Sequence, residues 1–189
     1  MSVIIDELKQ IATLLSGKQR EAYEEMITDA KVVEIVPMSE VFTAQEIEVI
    51  KKVVKPKQHE CYKNAYQLAM LFSDKVRYCE GKMTVANKLV GIEHAWNKVG
   101  NKYIDITMEL VLGHDMTQYG EEYVSLGDWG SKELLDISQR MGFYGGVYGF
   151  VKSEEKRRIG NLVDNAEQDF RIHKERDQKV LCPYGKENV

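Results

Sequence analysis

The chain has little cysteine, no long apolar run and almost no surplus of charge. Its three cysteines are Cys61, Cys79 and Cys182, with neither a Cys-x-x-Cys pair nor the regular spacing of a disulfide framework. Reduced thiols in a cytoplasmic setting are therefore expected, which leaves a cysteine free for chemistry. No segment reaches the roughly eighteen apolar residues that a membrane-spanning helix needs, so no membrane partner is expected. The first twenty residues place Asp6, Glu7 and Lys9 inside their apolar stretch, wrong for the uncharged core of a secretory signal. Lys and Arg total 26 against 30 Asp and Glu, a formal charge of −4. That balance offers no broad attraction for nucleic acid or anionic lipid, and no nucleic-acid partner is expected. Internal repeats and low-complexity blocks are also missing.

What is present is 189 residues with 43% hydrophobic content, enough for one α+β domain over 1–189 with a sizeable core. Residues 1–54 read as a helical packing region. Ile4, Leu8, Ile11, Leu14 and Leu15 recur at helical spacing, and a second, more charged helix runs up to Ala30. Val32 to Val36 predicts a short strand closed by Pro37, and Thr43 to Glu46 is a capping box opening a helix that Pro56 stops. Residues 55–110 hold a helix beginning close to Cys61, then four strand-like segments at 75–80, 83–90, 91–99 and 102–107, separated by Gly81, Gly91 and the Gly100-Asn101 turn. Residues 111–152 complete the sheet, with a loop from 108, a helix near 131–140 and an aromatic strand, GFYGGVYGFV. Residues 153–189 form a charged helix and tail in which Lys156, Arg157 and Arg158 belong to a solvated face.

A cysteine attacks as a thiolate, and the positive end of a helix together with a nearby imidazolium lowers its pKa. Cys61 sits where its helix starts. The imidazole and its orienting carboxylate must come from elsewhere in the fold. On the last hairpin Ile92, His94 and Trp96 share one face, and Tyr103, Asp105 and Thr107 alternate on the partner strand. A tight turn is expected to set His94 and Asp105 roughly opposite each other.

Four blocks, Cys61-Tyr-Lys-Asn-Ala-Tyr-Gln-Leu-Ala, Tyr78-Cys-Glu-Gly81, Glu93-His94-Ala95-Trp96 and Tyr103-Ile-Asp105-Ile-Thr107, resemble the transglutaminase-like branch of the papain-like superfamily. The likeness covers about residues 55–110 and extends to small bacterial and phage proteins with the same Cys, Glu-Gly and His-Ala-Trp blocks. It implies a papain-like core in which the Cys-bearing helix packs on an antiparallel sheet carrying His and Asp. It further implies a catalytic triad of Cys61 as nucleophile, His94 as general base then acid, and Asp105 as orienter. The activity implied is thiol-dependent hydrolysis or acyl transfer on an amide bond, as a peptidase, deamidase or transglutaminase-like enzyme. The substrate would be a peptide, a protein or a small amide. The backbone N–H of Cys61 and the side chain of Gln58, three residues upstream, are the candidate oxyanion donors. Glu80 and Trp96 are candidate cleft residues, with a core place for Trp96 as the other reading.

Other readings stay open at this point. His59 reads as a surface or cleft-rim residue. A zinc site from His59, Cys61, Cys79 and His94 has suitable residue types but no usual spacing, and neither metal nor cofactor is expected. Tyr144 and Tyr148, among Gly145, Gly146 and Gly149, could border a groove or form a packed strand. A binding or inhibitory module that keeps the fold without turnover is the alternative function, and chemistry on a nucleotide-derived or glycan amide is a third.

Overall fold

The computed structural model describes residues 2–85, 91–118 and 120–163. The chain divides into two compact units, 1–148 and 149–189. In the second unit the described residues, 149–163, are helical, and Ile159, Leu162 and Val163 are exposed there. The remainder of the expected charged helix lies outside the described residues.

The first unit mixes helices with one antiparallel sheet. Helix α1, Val3–Leu14, buries Ile4, Leu8 and Ala12 at helical spacing, and its neighbour α2, Gly17–Asp29, buries no residue fully. Ile4 and Leu8 pack on Val124. Glu122 fastens the start of α1, its carboxylate accepting from the Ser2 hydroxyl and the N–H groups of Val3 and Ile4 at 2.7, 3.1 and 2.9 Å. An anionic group there also meets the positive end of the helix. Helix α3, Ala44–Val53, opens with the capping box expected of Thr43 and Glu46. Helix α4, Cys61–Leu71, buries Ala65, Leu68 and Ala69.

Five strands form the sheet: β1, Lys31–Val33; β2, Val76–Met83; β3, Ile92–Val99; β4, Lys102–Ile104; and β5, Tyr123–Trp129. Their order is β1-β5-β2-β3-β4, antiparallel throughout. The sheet curls strongly. Just after β1, Ile35 bridges to Tyr103 on the opposite edge strand, and the Val36 N–H donates to the Tyr103 carbonyl at 2.8 Å. Helix α5, Ser131–Met141, follows β5 and ends at Gly142 in a left-handed conformation.

Four sequence expectations need correction. Gly81 does not break a strand. β2 runs through it, because there the backbone of β5 and the Trp96 ring come so close that a Cβ would stand 2.0 Å from the Val124 carbonyl oxygen and 2.8 Å from the indole. Second, β2 ends at Met83, residues 84–85 are irregular, and 86–90 lie outside the described residues. Third, part of the stretch read as a loop from 108 is β5, a strand between β1 and β2 whose first three residues are all buried, so no alternation advertises it. Fourth, the expected aromatic strand at 142–151 is a turn followed by helix from 147. Gly142 and Gly146 take φ of 70° and 74°, which suits turns and not strand.

Candidate active site

Cys61 is the first residue of α4 and is half-buried. The chain reaches it through His59, a non-glycine residue at φ 63°. Three residues after Cys61, Asn64 clasps the approach loop: its Oδ1 accepts from the Lys57 N–H at 3.1 Å, and its Nδ2 donates to the Lys57 carbonyl at 2.8 Å. Asn97 on β3 donates through Nδ2 to the Ala65 carbonyl at 2.8 Å and so joins α4 to the sheet. These bonds determine where the helix start, with its unpaired N–H groups, is aimed.

The β3–β4 hairpin turns at Gly100, φ 61°, and pairs Val99 with Lys102, Lys98 with Tyr103 and Asn97 with Ile104. Extended by one residue, this register sets Asp105 against Trp96. His94 and Asp105 are thus diagonal, not opposite as the sequence suggested. They still meet: β4 stops at Ile104, and Asp105 Oδ2 lies 2.6 Å from Nε2 of His94. Both side chains are buried. The other carboxyl oxygen, Oδ1, accepts from the N–H groups of Thr107 and Met108 at 2.9 and 3.1 Å, where the chain enters a π-helical turn, Thr107–Val111. Tyr123 on β5 donates its hydroxyl to Oδ2 at 3.0 Å.

Asp105 occupies Nε2, which leaves the second ring nitrogen of His94, Nδ1, for the Cys61 sulfur, and the two groups act on each other's charge. Burial pushes the Cys61 thiol up, but the hydrogen bond and charge of His94, with the N–H groups of Ala95 and Tyr62, bring it below its ordinary value. Burial lowers His94, yet the charge and hydrogen bond of Asp105, then those of Cys61, raise it to about 10. Both directions favour a thiolate–imidazolium pair. The early end of β4 matters here, because it pairs β3 only at 97–99 and leaves the Ala95 N–H to reach the sulfur.

The remaining sequence candidates have different places. Gln58 is exposed in the turn before α4, and His59 beside it is exposed too. Trp96 is buried in the core behind His94, with ring centroids 6.1 Å apart, and does not face solvent. Cys79 is buried in the same cluster, where desolvation holds its thiol well above the ordinary value. Among the described residues no three His, Cys, Asp or Glu side chains are grouped to hold a metal ion. Glu80 is buried and anchors the loop after α5. Its carboxylate accepts from the Tyr78 hydroxyl and from the N–H groups of Val147 and Tyr148, at 2.5, 3.0 and 2.9 Å. That loop stands against the residue next to Cys61, since a Cβ on Gly145 would lie 2.9 Å from the Tyr62 ring. Tyr144 stacks on Phe143 within it, and Tyr148 donates its hydroxyl to Asp29 at 2.9 Å.

Asn64, Thr107 and Tyr123 were not assigned roles by sequence reasoning. Asn64 carried a usable signal, a polar residue on the helix face that also bears Ala65 and Leu68. Tyr123 carried none, because its strand had no visible period. Comparison of the chain with protein-family models, with curated proteins and with solved structures finds no match.

Proposed function

We propose that the protein is a thiol-dependent hydrolase or acyl transferase that acts on amide bonds through a thioester at Cys61, on a transglutaminase-like variant of the papain-like core. The observation that carries this reading is the relay itself: a half-buried sulfur at a helix start, lowered in pKa by the charge of a ring whose Nε2 lies 2.6 Å from a buried carboxylate. A structural cysteine has no use for such a partner. Cys79, buried and pushed toward the neutral thiol, is the contrast within the same chain.

In the proposed reaction the Cys61 thiolate adds to the amide carbonyl carbon, and the carbonyl oxygen becomes an oxyanion. The N–H of Cys61 at the start of α4 is suited to receive it, and Gln58 is the second candidate donor. The His94 imidazolium gives its Nδ1 proton to the departing nitrogen as the C–N bond breaks, leaving a thioester and neutral His94. Water or an amine then attacks the thioester carbonyl and yields its proton to His94, and the thiolate leaves with the product acid or new amide formed. Asp105 keeps the ring in one orientation and stabilises its charged form. No cofactor has a step in this cycle.

The test is to incubate the protein with small acyl esters and with glutamine- and backbone-amide peptides, with and without a primary amine, and to follow intact mass. The expected result is a hydroxylamine-sensitive acyl adduct on Cys61 that is absent from Cys61→Ser. If a biological effect of the protein survives Cys61→Ser intact and no adduct forms, the binding-module reading replaces this one.

A further inference from the structure

Asn64 is 1% exposed, a polar side chain on the buried face of α4, and all of its partners belong to the site. Besides its two bonds to the backbone of Lys57, its Nδ2 donates to Oγ1 of Thr107 at 3.0 Å. Thr107 is itself buried, and its N–H donates to Asp105 Oδ1 at 2.9 Å. From Asp105 the path continues to His94 and on to Cys61. It closes along one turn of α4, since Asn64 follows Cys61 by three residues and its N–H donates to the Glu60 carbonyl at 2.8 Å.

We infer that Asn64 is a positioning residue that sets the distance between the nucleophile and the His94–Asp105 pair by tying the loop before Cys61 to the turn after Asp105 through Thr107. This rests on the reading of Cys61, His94 and Asp105 given above. The physical need is plain. Cys61 and Asp105 come from different layers, a helix end and a strand end, and nothing in either element by itself determines their separation. Both Nδ2 hydrogens of Asn64 are used, one toward each side, so a small shift of α4 against the 105–107 turn would break a buried hydrogen bond. A helix interior otherwise disfavours asparagine, so its place there has a local cost that the clasp offsets.

The experiment compares the pH profile of iodoacetamide alkylation at Cys61 in the wild type with Thr107→Val, Thr107→Ser and Asn64→Asp, each checked for folding by circular dichroism and thermal melting. Thr107→Val keeps the shape and removes the acceptor. Thr107→Ser restores it. Asn64→Asp keeps the acceptor for Lys57 and removes both donors. In folded Thr107→Val, alkylation near neutral pH is expected to slow about tenfold or more, with the Cys61 midpoint moved up, while Thr107→Ser stays within about twofold of wild type. Asn64→Asp is expected to show the larger shift. A merely structural Asn64 would lower the melting temperature and leave the midpoint in place. A folded Thr107→Val with the wild-type profile overturns the inference and leaves the thiol-enzyme reading standing. A wild-type Cys61 that reacts no faster than an ordinary thiol overturns that reading first, and this inference with it.

Discussion

Tyr123 donates its hydroxyl to the same oxygen of Asp105, Oδ2, that meets the His94 ring. With the two backbone N–H groups on Oδ1, four donors converge on one buried carboxylate. Two of them come from the chain that follows Asp105, one from β3 and one from β5. The carboxylate plane is therefore set from three directions before any substrate arrives, and His94 inherits its orientation from that plane.

Tyr123→Phe removes one of these donors. The ring keeps its place against Trp96, with centroids 5.2 Å apart, so the core stays filled. The lost bond is to a charged group, and the expected cost is about 1.5–3 kcal/mol of unfolding free energy, read from denaturant midpoints at constant slope. With one donor fewer, Asp105 holds the imidazolium more tightly, so turnover is expected to fall while Cys61 alkylation changes little. Equal loss in both assays would contradict this account.

The pH dependence follows from the two shifted groups. Alkylation of Cys61 is expected to rise with a midpoint below 9 and to stay high, because a thiolate without its imidazolium still attacks. Turnover needs the His94 proton as well, so it is expected to fall again near pH 10. The sign for stability is set by His94, whose folded value exceeds the ordinary 6.5. Its contribution is complete below about 6.5 and disappears as pH climbs through about 10. Titration of the His94 ring by NMR is the direct measurement, and Cys61→Ala should lower its midpoint, though less than loss of Asp105.

Gly81→Ala should be among the most damaging single-methyl changes available. The new Cβ would meet backbone oxygen of Val124 at 2.0 Å and the Trp96 ring at 2.8 Å, and neither neighbour is the loose end of a flexible side chain. Gly81 also pairs with His94 across β2 and β3, so any relief moves the catalytic ring. The expected loss is about 3 kcal/mol or more in stability, accompanied by slower alkylation of Cys61. Wild-type stability in this variant would show that the close approach of β5 at Gly81 tolerates what its geometry forbids.

Much of this arrangement was legible from particular residues. Thr43 with Glu46, the start of a helix at Cys61 and the Gly100-Asn101 turn are local signals, each decided by a cap or a turn within a few residues, and each stands in the structure. The α+β character followed from such signals. What stayed hidden depends on distant contacts. Gly81 reads as a break until β5 and Trp96 are packed against it, and 142–151 reads as a strand until Glu80 collects the N–H groups of Val147 and Tyr148. The hairpin was found, and its turn already pairs Val99 with Lys102 and so sets Asp105 against Trp96; what the turn alone does not reveal is that β4 ends at Ile104, which lets Asp105 reach His94.

Asp105→Asn separates orientation from charge. The N–H groups of Thr107 and Met108 select an oxygen at the Oδ1 position, so the new amide is expected to put its NH2 where Oδ2 was. That NH2 would then point at Nε2 of His94 and at the Tyr123 hydroxyl. His94 can accept the bond only as the neutral tautomer protonated at Nδ1, the nitrogen left for the sulfur, and in that form it cannot take the thiol proton. The charge that raised His94 is gone at the same time. Both effects push Cys61 back toward an ordinary thiol, so its alkylation midpoint should rise toward 9, and turnover should fall by about 10²–10⁴-fold. The fold should survive, since side-chain size and the bonds to Thr107 and Met108 are kept. A folded Asp105→Asn protein that retains the wild-type alkylation profile would mean that His94 and Cys61 do not share a proton, and the proposed mechanism would fall with that result.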